Sequence, residues 1–498
     1  RHTRSLCDWS SDVCSSDLID LDLPAGEAGD ASAIRRSFLG AFEARYRRAA
    51  PDRPIELAGV RIFAGDADGA TSEVRAVDPV VDGPRVVATS TNTTFVEEGW
   101  RAETLDDGGL LLVRRGPRDR VGLAGPAMTE IVACRLESIA RDMGETLRRT
   151  ALSVNVKERL DYSCGIVDAE GRLVVNAPHM PVHLGAMGDC VRSVVEVLPP
   201  RPGDTILVNH PAHGGSHLPD LTLVTPVFAG DRLVAYVVNR AHHAEIGGTR
   251  PGSMPPDARS LVEEGVVFPP TRLVDAGRVR LDVVERMLRE APHPSRSVEE
   301  NLADLEAQLS ANRLGESRVR DLHAAIGGER FASDLDALRD RCDAAVARLV
   351  ERHRGVDRTV EERLDDGTPI RVRLLVGEDR MRLDFAGSGP VHSGNLNAPF
   401  AVVRAAVIYA LRVVAGEDIP LNEGVLDRVD LMRCPGLLDP PFTGDATTDP
   451  AVAIGNTETS QRVVDALLRV FEAGACSQGT MNNLLLGDEN FEIGRAHV

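Results

Sequence analysis

Asn209-His-Pro-Ala-His-Gly-Gly-Ser-His-Leu-Pro-Asp220 and, after a hairpin-like run, Asn239-Arg-Ala-His-His-Ala-Glu-Ile-Gly-Gly248 hold the densest chemistry of this chain. Seven of its thirteen histidines lie between His179 and His243. Neutral imidazoles gathered beside ionisable carboxylates are what a divalent metal or a proton-transfer site requires. The chain therefore reads as an enzyme.

Within the first stretch, His217 and Asp220 stand on either side of Leu218-Pro219, in a loop opened by Gly214-Gly215. The glycines allow tight turning and close backbone approach, and the proline fixes φ. His242 and His243 begin the loop that follows the hairpin. Side chains alternate on extended backbone, so only one of that pair is expected to face His217. Asp161, at the entrance to an earlier hairpin, supplies a further carboxyl or a fourth ligand. Two His and two Asp form a mixed N/O set suited to Zn²⁺, Mn²⁺ or Fe²⁺ and poorly suited to Ca²⁺ or Mg²⁺. His-x-x-Asp by itself is a weak pattern, and a lone histidine is more often packed than functional. His179, His210 and His213 are read as structural, and His183 as evenly balanced between the two roles. His293, His323, His353 and His392 are read as surface or structural. No motif places a Ser or Cys nucleophile beside its base.

Outward from this centre the elements are mixed. Ser163–Val167 and Leu173–Val175 flank Asp168-Ala-Glu-Gly171 as one hairpin; Leu221–Phe228 and Leu233–Val238 flank Gly230-Asp231 as another. Asp204–Val208 and Met381–Phe385 read as strands. From Met128 a long helix is expected, because Val132, Leu136, Ile139, Met143 and Leu147 recur every three or four residues. Residues 298–326, 330–354, Pro399–Val414 and Ser460–Glu472 read as further helices. Nearer the start, Ser37–Arg48 reads as a helix, Ile55–Phe63 as a strand and residues 84–114 as β-rich. Gly116–Gly125 reads as a linker. The class is α+β: a mixed multi-domain chain with a β-hairpin-rich metal-site domain and long helices, preceded by a small β-rich domain.

Composition bounds the function. At 498 residues, domains of roughly 150 residues predict two or three of them. A formal charge of −19 argues against nucleic acid or an anionic membrane surface as partner. No apolar run approaches the ~20 residues of a bilayer span. Lys157 is the sole lysine and stands in no glycine context that would make a phosphate loop. The eight cysteines form no C-x-x-C pair; Cys134, Cys164, Cys190, Cys342, Cys434 and Cys476 are read as small buried hydrophobes in a reducing compartment. No secretory signal is visible, and a cytoplasmic location is expected.

The two ends stand apart. Residues 1–18 lack periodicity, and Asp12–Leu18 and Glu492–Val498 back-translate into mutually complementary DNA strings. Residues 1–18 and 492–498 are therefore read as translated sequencing adapter and kept out of the fold, and the natural gene is expected to extend further on both sides.

The wording of the motifs resembles the hydantoinase B/oxoprolinase family. The resemblance is carried by Asn155-Val-Lys-Glu-Arg-Leu-Asp-Tyr-Ser-Cys164, Asn176-Ala-Pro-His-Met-Pro-Val-His-Leu-Gly-Ala-Met187 and the two stretches quoted at the outset. Pro251-Gly-Ser-Met-Pro-Pro256, Gly394-Asn-Leu-Asn-Ala-Pro399, Gly455-Asn-Thr-Glu-Thr-Ser-Gln-Arg462 and Gln478-Gly-Thr-Met-Asn-Asn483 complete it, in the family's order. Residues 124–491 are thus taken as a B-type domain, cut short at its carboxyl end. Residues 19–118 are similar to the carboxyl-terminal tail of a hydantoinase A-type part, in Glu56-Leu-Ala-Gly-Val-Arg-Ile and Ser90-Thr-Asn-Thr-Thr. A tail fused directly to a body resembles the single-chain oxoprolinases.

The resemblance implies ATP-dependent opening of a cyclic amide, most closely 5-oxo-L-proline, with an N-methylhydantoinase-type lactam hydrolase or the catalytic subunit of a ketone carboxylase as alternatives. It implies that the missing A-type part, in cis or as a subunit, uses ATP to phosphorylate the lactam oxygen. The B-type body holds a divalent metal and directs water at the activated carbon. It further implies Asp161, His217, Asp220 and His242 as metal ligands, with His183 and Glu264 as proton-transfer groups, and an oligomer as the working form. Without the nucleotide-binding core, the polypeptide is expected to be inactive alone.

Overall fold

The computed structural model describes residues 31–46, 80–88, 93–96, 98–105, 109–115 and 126–474, apart from 178–179, 184 and 417–418, with short strand pieces between 483 and 497. Two compact units emerge: Asp52–Met128, and the remainder of the chain. In the smaller unit, Val80–Asp82, Trp100–Thr104 and Leu110–Arg114 form a three-stranded antiparallel sheet, beside a hairpin of Arg85–Ala88 and Thr93–Val96. Val81, Val87, Val96 and Ala102 make its core. The strand expected at Ile55–Phe63 and the linker at Gly116–Gly125 lie outside the described residues. The helix expected at Ser37–Arg48 runs from Ala31 to Tyr46; the buried Ala33 extends its apolar face a turn earlier.

The larger unit is built on a seven-stranded antiparallel sheet. Its elements are α1 (Pro126–Thr150), β1 (Tyr162–Asp168), β2 (Leu173–Asn176), α2 (Ala186–Val197), β3 (Thr205–Val208), β4 (Asp220–Ala229), β5 (Arg232–His242), β6 (Thr271–Asp275) and β7 (Arg278–Val279). Two long helices, α3 (Val298–Ile326) and α4 (Gly328–Arg352), follow. The strand order is β7-β6-β3-β4-β5-β1-β2. Strands alternate their side chains, so each face of β5 has its own neighbours. Ala235, Val237 and Ala241 join Leu136, Met143 and Leu147 of α1 and Ala307 and Ala311 of α3 in one core. Tyr236 and Val238 meet Met187, Cys190, Val191 and Val194 of α2 in another. The stripe expected on α1 is buried in full, and each such side chain contributes about 1.5–3 kcal/mol. Cys134 falls two residues off the stripe and is exposed, contrary to the expectation of burial. Cys434 is only partly buried, and Cys476 lies outside the described residues. Cys164, Cys190 and Cys342 are buried free thiols.

A third core lies between α4 and a four-stranded sheet of β8 (Asp357–Arg363), β9 (Pro369–Val376), β10 (Met381–Asp384) and β11 (Val429–Met432). Only the β10–β11 pair is parallel. Helices α5 (Phe400–Ala415) and α6 (Ser460–Val470) cover it. Gly327, at φ +87°, separates α3 from α4 where the sequence spacing predicts a break. Strands are segregated from helices rather than alternating with them, as the α+β reading expects.

The inner face of α3 departs from an apolar pattern. Asn301, Gln308 and Asn312 are buried there. Gln308 Nε2 donates to the Leu221 carbonyl at 2.9 Å and to Asn239 Oδ1 at 2.8 Å, while Asn312 Nδ2 donates to the Leu223 carbonyl at 3.2 Å. This amide ladder locks the helix to the sheet at one register, because any slide would leave buried polar groups unpaired.

A candidate metal centre

Register decides which side chains meet. Near their turn, β4 and β5 pair Leu233 with Phe228; a bulge then shifts the pairing so that Ala235 faces Val227, Arg240 faces Thr222 and His242 faces Asp220. Without that one-residue shift, Ala241 would lie opposite Asp220. On β1, Ser163 pairs with Arg240 and so joins the same face. Beyond the bulge, the even-numbered residues of β5 point toward α2 and the site. Odd-numbered ones, continued by His243 just past the strand, point toward α3: His243 Nδ1 meets Asn301 Oδ1 at 2.9 Å and its Nε2 meets Gln308 Oε1 at 3.0 Å. Only His242 faces His217, as alternation predicts.

The loop from Asn209 to Pro219 closes over this face. Asn209 Nδ2 donates to the carbonyls of Leu218 (2.8 Å) and Val266 (2.9 Å), and its Oδ1 accepts from Phe268 N at 2.7 Å. A Cβ on Gly214 (φ +80°) would meet Cys190 N at 2.7 Å, and one on Gly215 would meet the Asn209 carbonyl oxygen at 2.2 Å. Both positions need glycine. Arg240, fully buried, donates to Thr222 Oγ1 at 2.8 Å and to the Gly214 carbonyl at 2.7 Å. It braces the loop from beneath. His210 Nδ1 accepts from Ala212 N, and His213 Nδ1 meets Ser193 Oγ at 2.8 Å. Both serve the loop's own structure, and burial lowers their affinity for a proton.

At the centre, three atoms form a closed triangle. His217 Nε2 lies 3.1 Å from Asp220 Oδ1 and 3.1 Å from His242 Nδ1, and His242 Nδ1 lies 3.2 Å from Asp220 Oδ1. All three residues are buried, and their donor atoms fall within 4.8 Å of one another. Two ring nitrogens supply at most two hydrogens along three such edges, so hydrogen bonding leaves at least one edge unfilled. Ligand atoms at about 2.0–2.2 Å from one small divalent ion stand roughly 3 Å apart, which is this spacing. The residues fit a metal ion.

The other carboxylate oxygen of Asp220 is held outside the triangle by Ser216 Oγ, which donates to it, and by His183 Nε2 at 3.2 Å. His183 Nδ1 in turn meets Ser163 Oγ at 3.0 Å. Burial opposes ionisation of Asp220, but the positive field and hydrogen bonds of His217 and His183 outweigh it and hold the carboxyl well below the usual range. Burial also favours neutral His242, the form that ligates metals.

Of the six residues picked from sequence, His217, Asp220 and His242 form the triangle. Asp161 stands beside it, with Oδ2 3.8 Å from His242 Nδ1 and its carbonyl accepting from His242 N at 2.9 Å. His183 touches the triangle through Asp220. Glu264 is fully buried. Its Oε1 accepts from Val452 N (2.9 Å) and Ala453 N (2.8 Å), and its Oε2 has no partner. Burial pushes its carboxyl up to about 7, despite the two amides and the field of His217. His179 lies outside the described residues. His293, His323, His353 and His392 are partly exposed and away from the triangle.

Three participants were not picked. Ser163 lies two residues along the strand face from Asp161, and Ser216 sits within the quoted Gly-Gly-Ser-His. Asn456 lies in a quoted motif that carried no role; its Nδ2 is 3.5 Å from the His217 ring nitrogens.

Comparison with known proteins supplies the class. The hydantoinase B/oxoprolinase family profile matches residues 125–496, and the chain belongs to that family. It is 37% identical over 442 residues to 5-oxoprolinase 1 of Arabidopsis thaliana, covering 82% of this chain and 34% of that protein. It therefore spans about a third of the length of that relative. Among solved structures it is similar to the ATP-dependent caprolactamase from Pseudomonas jessenii, at 26% identity and a TM-score of 0.64 over 70% of this chain and 60% of that one. It also shares a fold with acetone carboxylase in its nucleotide-free form, at 17% identity and a TM-score of 0.60 over 70% of this chain and 48% of that one. No helix among the described residues is long and apolar enough to cross a membrane.

The alternation along β5 yields a contrast between adjacent histidines. His243→Ala removes the group between two buried amide oxygens and is expected to cost about 2–4 kcal/mol of stability while leaving metal content unchanged. His242→Ala is expected to lose the metal. Urea unfolding and metal analysis of both variants check this, and metal loss in His243→Ala would overturn the assignment of faces.

Proposed function

We infer that this chain carries the ring-opening site of an ATP-dependent cyclic-amide hydrolase acting on 5-oxo-L-proline. The overall reaction is 5-oxo-L-proline, ATP and water to L-glutamate, ADP and phosphate. The observation that carries the reading is the buried His217/Asp220/His242 triangle in a chain of the hydantoinase B/oxoprolinase family. A 37% identical relative named 5-oxoprolinase supports the substrate, and a structural relative that acts on a lactam supports the class.

An unstrained lactam is a poor electrophile, and phosphorylation of its oxygen by an A-type partner creates a leaving group. His217, Asp220 and His242 would hold the metal, with Asp161 beside them. Zn²⁺, Mn²⁺ and Fe²⁺ suit this donor set. When bound, such an ion supplies Lewis acidity and lowers the pKa of water toward ~7. Ser216 and His183 fix the orientation of Asp220, as outer partners of ligating groups do. Water attack at the activated carbon forms a C–O bond and the C–N bond breaks, the departing nitrogen taking up a proton; the acyl phosphate so formed is cleaved by a second water to the carboxylate and inorganic phosphate. Glu264, holding its proton near neutrality, is the group suited to deliver it. His183, tied to Ser163 and Asp220, serves better as an orienting group.

The natural gene product containing this chain, supplied with an A-type nucleotide-binding part, tests the reading. Glutamate release is expected to require ATP, to stop on chelation and to return with Zn²⁺, Mn²⁺ or Fe²⁺. Release that ignores chelation would remove the metal from the reaction. ATP turnover that requires bicarbonate and a ketone would place the protein with the carboxylases instead.

A further inference from the structure

Asn456 is buried at the edge of the triangle with its hydrogen-bonding capacity nearly unspent. Its Nδ2 is 3.5 Å from both ring nitrogens of His217, and its Oδ1 has no partner. One N–H cannot point at two nitrogens of the same ring, and 3.5 Å is long for either contact. Buried amides in folded proteins are almost always paired, so an unpaired one beside the triangle calls for a partner such as a water, an ion or a ligand.

The backbone beneath this side chain is, by contrast, tightly clamped. Gly455 packs on Asn397 so closely that a Cβ would fall 1.9 Å from its carbonyl oxygen. The Asn395 carbonyl accepts from Ile454 N at 3.0 Å and from Gly455 N at 2.9 Å. Asn397 Nδ2 donates to the Ala451 carbonyl at 3.0 Å, and Thr459 Oγ1 donates to the Leu396 carbonyl at 2.6 Å. Gly455–Thr459 forms a π-helical turn at the head of α6. Such turns recur at functional sites because they push one residue out of the helical ladder. A rigid platform presenting an uncommitted carboxamide is built to recognise a ligand.

We propose that Asn456 reads the amide edge of the substrate before its oxygen is activated, donating from Nδ2 to the lactam carbonyl oxygen and accepting the ring N–H at Oδ1. The proposal rests on the cyclic-amide reading given above and deepens it. In a small lactam the amide is held cis, so N–H and C=O lie along one edge. A primary carboxamide also presents its oxygen and one N–H along one edge, and the two close with a pair of parallel hydrogen bonds. The substrate class is then a cyclic amide unsubstituted on the reacting nitrogen.

Calorimetric titration of the zinc-loaded chain with γ-butyrolactam and with its N-methyl derivative tests this. Wild type is expected to bind the unsubstituted lactam at least about tenfold more tightly. Asn456→Ala is expected to weaken γ-butyrolactam by about 10- to 100-fold while leaving the N-methyl compound and the zinc stoichiometry unchanged. Asn456→Leu, close in volume but with neither donor nor acceptor, is expected to lose the preference as well, and carries the test if the Ala variant fails to fold. Variants that keep the wild-type preference overturn the proposal and leave the cyclic-amide reading standing. Wild type that binds neither lactam overturns both. Loss of zinc in Asn456→Leu would make the residue a part of the metal centre and overturn the proposal alone.

Discussion

Asp220→Asn is expected to empty the metal centre, lowering affinity for zinc by at least about 100-fold. Asp220 is the member of the triangle that no neighbour can replace. Its Oδ1 contacts both His217 and His242, while Oδ2 is engaged by Ser216 and His183. An Asn amide has nearly the same shape but offers one acceptor atom where Asp offers two. Turned either way, it sets an NH₂ against a ring nitrogen or against the Ser216 and His183 donors. Charge is lost too, so the imidazoles no longer face an anion. Breaking a buried charged network by removing one member costs about 3–5 kcal/mol, so the apo variant should also unfold at lower urea. Metal analysis after dialysis and a competition titration read the first effect. Metal retained in full by Asp220→Asn would mean that the three-atom triangle is not the binding site.

Glu264→Gln is expected to lower turnover of the complete enzyme by about 10²–10⁴-fold, the usual worth of a general acid or base, with metal content unchanged. Gln keeps an acceptor for Val452 N and Ala453 N but can neither give nor take a proton. Normal turnover would assign the proton transfer elsewhere. A second effect concerns stability. Burial pushes the Glu264 carboxyl from a normal 4.5 up to about 7 in the folded chain. Between those values the folded state holds a proton that the unfolded state has released, so stability falls as pH rises through that window. Gln carries no such dependence. Comparing metal-free wild type with Glu264→Gln, the difference should shift by about 3 kcal/mol in favour of Gln between pH 4.5 and 7. Parallel urea curves at pH 4.5 and 7.5 would reveal it; a constant difference would show that Glu264 ionises normally.

Much of the site was legible because it obeys short periods. The stripe on α1, the two hairpins and the glycine pair at 214–215 each announce themselves within a dozen residues. Strand alternation distinguished His242 from His243. The bulge between Leu233 and Ala235, which brings His242 opposite Asp220, has no comparable local signature. The amide ladder of α3 was hidden because Asn301, Gln308 and Asn312 look like solvated positions until their partners on β4 and β5 are known. Strand β9 carries an equally local signal, since Ile370, Val372, Leu374 and Val376 alternate cleanly with outward residues. The roles of Val452, Ala453 and Asn456 could not be read, since they depend on contacts with residues far away in the chain. Only a fold brings them in.

The amides that receive Glu264 follow it by 188 residues and more. A ribosome therefore releases the two histidines, Asp220 and the glycine loop long before it makes the strand of chain that caps them. Until Val452 and Ala453 emerge, Glu264 Oε1 lacks the two amides that hold it. Nascent chains stopped ahead of residue 451 should take up zinc yet leave Glu264 titrating as an ordinary surface acid. On the proposed reading, ion capture would come early in synthesis and the anchoring of Glu264 last.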